Sequence, residues 1–267
     1  MKRIETKRRL IESDIERRGM KRRHDDDEFK VVEGVIDPPT LKVLYRLLGR
    51  GTLRRIHGVV SAGKESNIYR GEDAEGNAVA IKIYRVVTAQ SNYMSEYILG
   101  DPRFRHVSRR NRQLIPLWAM KEYKNLQRYS AAGVRVPRPL DIQRNVLVME
   151  FIGDSSSGNA APLLRDTRLE SPAEVFDEII SMVEIGYREA GLVHADLSEY
   201  NILWSNGPVF IDVSQSVLRT HEHARQFLLR DIQNVIAYFK KLGVETDNPQ
   251  LIVDSIVNSG ELTDDAH

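Results

Sequence analysis

No cysteine occurs among the 267 residues, which removes disulfides and thiolate metal sites from consideration and agrees with a reducing compartment. No apolar run approaches the length of a membrane-spanning helix. The first residues, Met1-Lys-Arg-Ile-Glu-Thr-Lys-Arg-Arg, lack the apolar stretch of a secretory signal, so a cytoplasmic protein is expected. His221 and His223 lie two apart, but no carboxylate–histidine cluster with zinc-ligand spacing accompanies them. Net charge is nearly absent too, at +1 overall. What is present is ordinary globular composition, 41% apolar and 29% charged, in a chain long enough for one two-lobed domain or two small ones.

The small net charge conceals opposed ends. Residues 1–24 hold ten Lys/Arg against four Asp/Glu, and residues 241–267 hold one Lys against six Asp/Glu. A basic arm of that kind either contacts RNA or another polyanion or is simply solvated, and composition alone favours the second reading.

Periodicity divides the remainder. Asp37-Pro-Pro-Thr opens a helix, with Asp37 as cap, an apolar stripe of Leu41, Leu44, Tyr45 and Leu48, and Gly49 or Gly51 as the stop. From Leu53 the period falls to two. Ile56-His-Gly-Val-Val, Ser66-Asn-Ile-Tyr-Arg and Ala78-Val-Ala-Ile-Lys-Ile-Tyr-Arg-Val read as strands, the last two joined at Glu75-Gly76-Asn77. Residues 88–113 lose periodicity, and Asp101–Arg112 carries five Arg, which reads as a long loop. A helix is expected from about Leu114 to Ala132. Pro137 and Pro139 bracket an expected edge strand, and Asn145–Ile152 reads as a buried strand. Gly153–Gly158 marks a crossing between lobes. Ser171-Pro-Ala-Glu174 reads as a capping box, and two helices near 223–242 and 248–258 close the chain. The expected fold class is α+β, a strand-rich lobe followed by a mainly helical one. The expected divisions are 1–52 (basic extension plus helix), 53–152 and 153–267.

The chemistry concentrates in Leu-Val-His194-Ala-Asp196-Leu-Ser-Glu-Tyr-Asn201, followed by Val-Phe-Ile-Asp212-Val. An aspartate, an asparagine five residues on and a second aspartate beyond a hairpin are what a kinase-type site needs to orient a hydroxyl and hold metal on phosphates. A polar turn between buried strands would account for one Asp and one Asn, but not for the lysine strand upstream. There, Val79-Ala-Ile-Lys82 presents a lysine suited to nucleotide phosphates. A buried lysine requires an anionic partner. Glu122 is the choice, because Trp118, Leu126 and Tyr129 place it on the apolar face of its helix. Glu96 is the rival. Between the first two strands, Ser61-Ala-Gly63-Lys64-Glu65 is a small-residue turn that can cover phosphates. The same stretch mimics a Walker A loop except that Glu65 stands where Ser or Thr is required and a strand comes next where a helix should. His194 is expected to pack and hydrogen-bond the loop. Asp231 either accepts backbone N–H groups of the catalytic loop or is a surface aspartate paired with an Arg.

Together, Ser61-Ala-Gly-Lys-Glu-Ser-Asn-Ile-Tyr, His194-Ala-Asp-Leu-Ser-Glu-Tyr-Asn201 and Ile211-Asp-Val-Ser-Gln-Ser-Val217 closely resemble the RIO family of atypical serine/threonine protein kinases, in its type-one branch, over about residues 35 to 240. About fifty residues precede the first strand, too few for the winged helix of the type-two branch beside the helix already seen. The resemblance implies a trimmed two-lobed kinase fold using ATP with Mg²⁺, or Mn²⁺ in its place. It implies serine phosphorylation, including autophosphorylation, ATP hydrolysis and a part in maturation of the small ribosomal subunit, whose precursor (rRNA and proteins) would be the partner. By residue, it implies Asp196 as catalytic base, Asn201 and Asp212 as metal ligands, Asp212 as a transient phosphate acceptor, and Lys82, paired with Glu122, on the phosphates. Ser61, Gly63, Lys64 and Glu65 would cover the phosphates, Met149 would border the adenine pocket, and the backbone of Glu150 and Ile152 would read adenine. Ala195 replaces the arginine of His-Arg-Asp and Asp212-Val-Ser replaces Asp-Phe-Gly. The 55 residues after Asp212 leave little room for a peptide groove. A protein hydroxyl and water therefore compete as the phosphoryl acceptor, and a nucleotide-binding module without catalysis is disfavoured by the full residue set.

Overall fold

The structure, a computed structural model, describes residues 36–85, 94, 97, 101–104, 111–154 and 157–261. The basic arm, Glu96 and residues 105–110 of the Arg-rich stretch lie outside the described residues. Helix α1 (Pro38–Arg50) starts where Asp37 accepts from the Thr40 N–H at 3.1 Å, and it stops at Gly51, whose φ of 80° is accessible without strain only to glycine. Strands β1 (Arg55–Ala62), β2 (Ser66–Glu72), β3 (Ala78–Tyr84), β4 (Pro139–Gln143) and β5 (Val146–Glu150) form an antiparallel sheet in the order β1-β2-β3-β5-β4. The β2–β3 turn is built on Asp73, whose carboxylate accepts from the N–H groups of Glu75 and Asn77 at 3.1 and 2.8 Å.

The sheet is covered on both faces, and its alternation decides what faces where. Val79, Ile81 and Ile83 of β3, with Val146 and Val148 of β5, pack under Leu44, Leu47 and Leu48 of α1. Each fully buried leucine there contributes about 1.5–3 kcal/mol. The intervening residues Ala80, Tyr84, Leu147 and Met149 join the second cluster, with Trp118 and Leu126 of helix α2 (Asn111–Ala131). Helix α2 begins within the stretch read as loop: its first turn carries Asn111, Arg112 and Gln113, and Pro116 lies inside it, so no apolar period announces its start.

The second lobe holds helices α3 (Pro172–Arg188), α4 (Ala224–Lys241) and α5 (Pro249–Glu261) around short strand pairings. β6 (Leu192–Val193) pairs with β9 (Val217–Leu218), and β7 (Ile202–Trp204) pairs with β8 (Pro208–Phe210). Ser171 precedes α3, but its side chain makes no capping hydrogen bond; the helix start rests on Pro172. The hydrophobic cluster that begins under the sheet continues unbroken through Ile179, Leu197, Phe210, Ile232 and Phe239. The fold is therefore α+β, an antiparallel sheet lobe on a helical lobe, and two short ribbons carry the segments 194–201 and 211–216 to the face below the sheet.

Candidate active site

Lys82 lies between Ala80 and Tyr84 on the α2 side of β3 and is 4% exposed. Its ammonium donates to Glu122 Oε1 at 2.7 Å and to Asp212 Oδ1 at 2.9 Å. Glu122 is itself 1% exposed, and its second oxygen accepts from the Tyr84 hydroxyl. Burial works against the charge on Lys82, but Asp212 and Glu122 outweigh it and hold the ammonium above the ordinary lysine range. Burial pushes the Glu122 carboxyl up to about 7, against the pull of Lys82. For Asp212, Lys82 outweighs desolvation and keeps the carboxylate below its usual range. Its side chain remains 49% exposed towards the cleft.

Asp196 and Asn201 reach the same cleft from the other lobe. Asn201 Nδ2 donates to Asp196 O at 2.7 Å and to Asp196 Oδ2 at 3.2 Å, and Gln215 Nε2 donates to that same Oδ2 at 3.0 Å. Burial, then the negative charge of Asp212, raises the Asp196 pKa above the ordinary aspartate value. Glu65, half-buried in the turn after β1, is raised by the same two causes. Glu122 and Asp212 thus contact one ammonium, with Glu65 and Asp196 both under the influence of Asp212.

That excess of negative charge bears on whether a metal fits. Asn201 Oδ1 and Asp212 Oδ2 accept no hydrogen bond among the described residues, and both are hard oxygen donors of the kind Mg²⁺ takes. No group of three or more His, Cys, Asp or Glu placed to hold a metal occurs among the described residues. A site of one carboxylate and one amide oxygen agrees with an ion that shares its shell with phosphate oxygens and water, not with a protein cage. The residues present fit Mg²⁺ on those terms.

The loop carrying Asp196 is held from behind. Asp231 of α4 accepts from the N–H of Ala195 at 2.7 Å and from the N–H of Leu197 at 2.9 Å, the first of its two expected readings. Arg230 donates to Ala195 O, and Asn234 donates to Leu197 O at 3.1 Å. Burial pushes Asp231 up to about 7. His194 is 4% exposed, its Nε2 lies 3.1 Å from Ile211 O, and burial pushes it down to about 4, so the imidazole is neutral and packs the loop as expected.

The segment after Asp212 is held from α2. Lys121 Nζ donates to Ser214 O and Ser216 O at 2.7 and 2.6 Å, and Asn125 Nδ2 donates to Val213 O and Ser216 O at 2.8 and 3.2 Å. Ala195 (φ 67°) and Asp212 (φ 57°) are both left-handed without being glycine. Such backbone costs about 1–3 kcal/mol per residue, and these two braces offset it. Lys121, Asn125, Gln215, Arg230 and Asn234 are site residues that the sequence motifs do not single out. Lys121 and Asn125 carry a signal, as polar residues at helical spacing alongside Trp118 and Glu122.

The remaining candidates lie on β1, the turn after it, β5 and the residues just past β5. Ser61, at the end of β1, and Gly63 and Lys64, in the β1–β2 turn, are exposed. Gly63 donates to Ser66 O at 2.9 Å, and a Cβ on it would sit 3.1 Å from that oxygen. β1 and β2 pair antiparallel across this turn, which excludes the strand–loop–helix of a P-loop. Met149 pairs with Ala80 at the end of β5 on the Lys82 face. Glu150 closes that strand, and Ile152 O accepts from the Ala161 N–H at 2.9 Å.

Known proteins resemble this chain over most of its length. The family model for the RIO domain matches residues 67–251. The RIO-type serine/threonine-protein kinase Rio1 of Haloferax volcanii is 39% identical over 228 residues, spanning 85% of this chain and 78% of that protein. Serine/threonine-protein kinase RIO1 of Caenorhabditis elegans is 40% identical over 92% of this chain, and that of Homo sapiens is 40% identical over 84%. The chain spans only 50% and 40% of those two proteins' length. Among solved structures, the Rio2 kinase from Chaetomium thermophilum superposes with a TM-score of 0.62 at 21% identity, over 86% of this chain and 75% of that one. Its ADP/Mg²⁺-phosphoaspartate complex gives 0.60 at 21% identity, over 83% and 70%. That likeness shows the fold.

Proposed function

This chain belongs to the RIO family of serine/threonine-protein kinases, and on that footing we propose that its cleft binds ATP with Mg²⁺ and passes the γ-phosphoryl group to a serine hydroxyl, its own included, or to water. The observation that carries this reading is Lys82, fixed between Glu122 and Asp212, the latter raising the pKa of an Asp196 that Asn201 and Gln215 hold by one oxygen. Lys82 holds the phosphates, and Glu122 keeps its ammonium charged and aimed. Asn201 and Asp212 hold the metal, which when bound neutralises charge on the phosphates. Asp212 also serves as a transient phosphate acceptor. Asp196, made more basic than a free carboxylate by burial and by Asp212, takes the proton of the attacking hydroxyl. Ser61, Gly63, Lys64 and Glu65 cover the phosphates. Adenine lies against Met149 and is read by the backbone of Glu150 and Ile152. Mn²⁺ replaces Mg²⁺ at the same donors.

We further propose that the enzyme acts in the cytoplasm on precursors of the small ribosomal subunit, where its nucleotide state governs binding and release. The basic segment 1–24 and the five Arg of residues 101–112 favour a polyanionic partner. The test is the fate of γ-³²P-labelled ATP with Mg²⁺ and purified protein, with and without small-subunit precursor particles. Label on serine of a particle protein establishes the kinase reading. Faster free phosphate with particles, with no protein labelled beyond the enzyme, establishes the ATPase switch. Label that stays on ATP in every mixture contradicts both.

A further inference from the structure

Glu122 meets Lys82 through one oxygen only, and its other oxygen is held as well. Oε1 accepts from the Lys82 ammonium at 2.7 Å, and Oε2 accepts from the Tyr84 hydroxyl. Tyr84 follows Lys82 by two residues on β3 and so shares its face of the sheet. It is 1% exposed, and its ring centre lies 5.2 Å from the Lys82 ammonium. Asn145 clamps the backbone there: the Tyr84 N–H donates to Asn145 O, and Asn145 Nδ2 donates to Tyr84 O, both at 2.9 Å. Lysine, tyrosine and glutamate form a closed, buried triangle.

Charge shows what the triangle is for. Burial pushes the Glu122 carboxyl up to about 7, and the negative charges of Asp212 and Glu65 push the same way, while Lys82 pulls it down. On the same helix, Lys121 is turned to Ser214 O and Ser216 O. Besides Lys82, the Tyr84 hydroxyl is the one donor that reaches the carboxylate among the described residues. A hydrogen bond donated to a carboxylate favours its charged form. A proton on Oε2 would force the hydroxyl to turn its own hydrogen elsewhere, and no other acceptor for it occurs among the described residues.

We propose that Tyr84 is a positioning residue of the nucleotide site: its hydroxyl holds Glu122 ionised, with Oε1 turned to Lys82, and it acts on the phosphates only through that lysine. The inference rests on the ATP-binding reading above. If Glu122 takes a proton, Lys82 keeps a single anionic partner, Asp212, whose carboxylate the metal also needs. The ammonium then competes with Mg²⁺ for Asp212, and ATP binds less well. Phenylalanine at this position isolates the effect. It keeps the ring beside the ammonium and the backbone bonds to Asn145, and it removes one oxygen.

The test is calorimetric titration of the full chain with ATP and Mg²⁺, in the wild type and Tyr84→Phe, from about pH 5.5 to about pH 9. Affinity rises with pH as Glu122 ionises, because the charged carboxylate is the form that aims Lys82. Tyr84→Phe is expected to move that rise upward by about one pH unit, with binding about tenfold weaker on its acid side and within a few-fold of the wild type on its alkaline side. The nucleotide's own protonation is common to both proteins. In a Glu122→Gln background, where the group cannot ionise, Tyr84→Phe is expected to move nothing. Affinity lost by one factor at every pH makes Tyr84 a packing residue and overturns the inference. No loss at all overturns it too, as does an undiminished shift in Glu122→Gln. A wild type that binds no ATP at any pH overturns the reading beneath it. If Tyr84→Phe does not fold, site-directed Tyr84→fluorotyrosine keeps the hydrogen bond and donates it more strongly. The rise then moves to lower pH, and a rise that stays in place overturns the inference.

Discussion

Replacing Asp196 with Asn lowers phosphoryl transfer, to serine or to water, by about 10³-fold while leaving Mg²⁺–ATP affinity within a few-fold of the wild type. The substitution isolates the proton transfer because it keeps the surroundings. An Asn oxygen at the position of Oδ2 accepts from both Asn201 and Gln215, as the carboxylate does at 3.2 and 3.0 Å. The backbone oxygen of residue 196 still accepts from Asn201, and the braces at Ala195 and Leu197 are untouched. What is lost is the base. Removing it raises the barrier by about 4 kcal/mol, at 1.36 kcal/mol per tenfold. Single-turnover rates with labelled ATP, read beside an equilibrium titration with nucleotide, check both halves. Turnover within tenfold of the wild type takes the base role away from Asp196.

Replacing Asp231 with Ala destabilises the fold by about 3 kcal/mol, and for a chain of this size lowers the unfolding midpoint by about 6–12 °C. Asp231 is 1% exposed and satisfies the N–H groups of Ala195 and Leu197 with its two separate oxygens. Alanine leaves both donors buried and unmade, each costing about 1–3 kcal/mol. Relief from burying a carboxyl whose pKa burial has pushed up to about 7 offsets part of that. Asn is no rescue, since one of its two polar atoms is a donor and would face an N–H. Ala195 is left-handed at φ 67°, so the freed loop relaxes and carries Asp196 with it. Activity at temperatures below the midpoint falls as well. Denaturant unfolding of Asp231→Ala and Asp231→Asn measures the loss directly, and a value under about 0.5 kcal/mol for either would mean water replaces the carboxylate.

Interactions announced by a period or a cap pattern are legible in the sequence, and those made to the backbone of another element are not. The Lys82–Glu122 pair is readable because each residue sits in a period of its own, two for β3 and 3.6 for α2, and each carries the charge opposite to the other's. Asp37 and Gly51 are readable because caps act within one turn. Asp231 stays open between two readings because its partners are backbone N–H groups of another element, which no side-chain pattern marks. Lys121 escapes for the same reason, its partners being the backbone oxygens of Ser214 and Ser216, and Gln215 escapes because no period ties its amide to Asp196. The start of α2 is hidden because Arg and Asn with no apolar stripe do not announce a helix, and the Ser171 box fails because Pro172 alone suffices to start α3.

The acids around Lys82 make a nucleotide site only if a divalent cation completes it. Calorimetric titration of the wild type and Asp212→Asn with ATP, once with Mg²⁺ and once with chelator, decides this. Mg²⁺ is expected to tighten ATP binding to the wild type by about tenfold or more, at least 1.4 kcal/mol, and Asp212→Asn is expected to lose the tightening while still binding metal-free ATP. ATP binding that is indifferent to Mg²⁺ in the wild type, or no ATP binding at all, would refute a metal-completed nucleotide site.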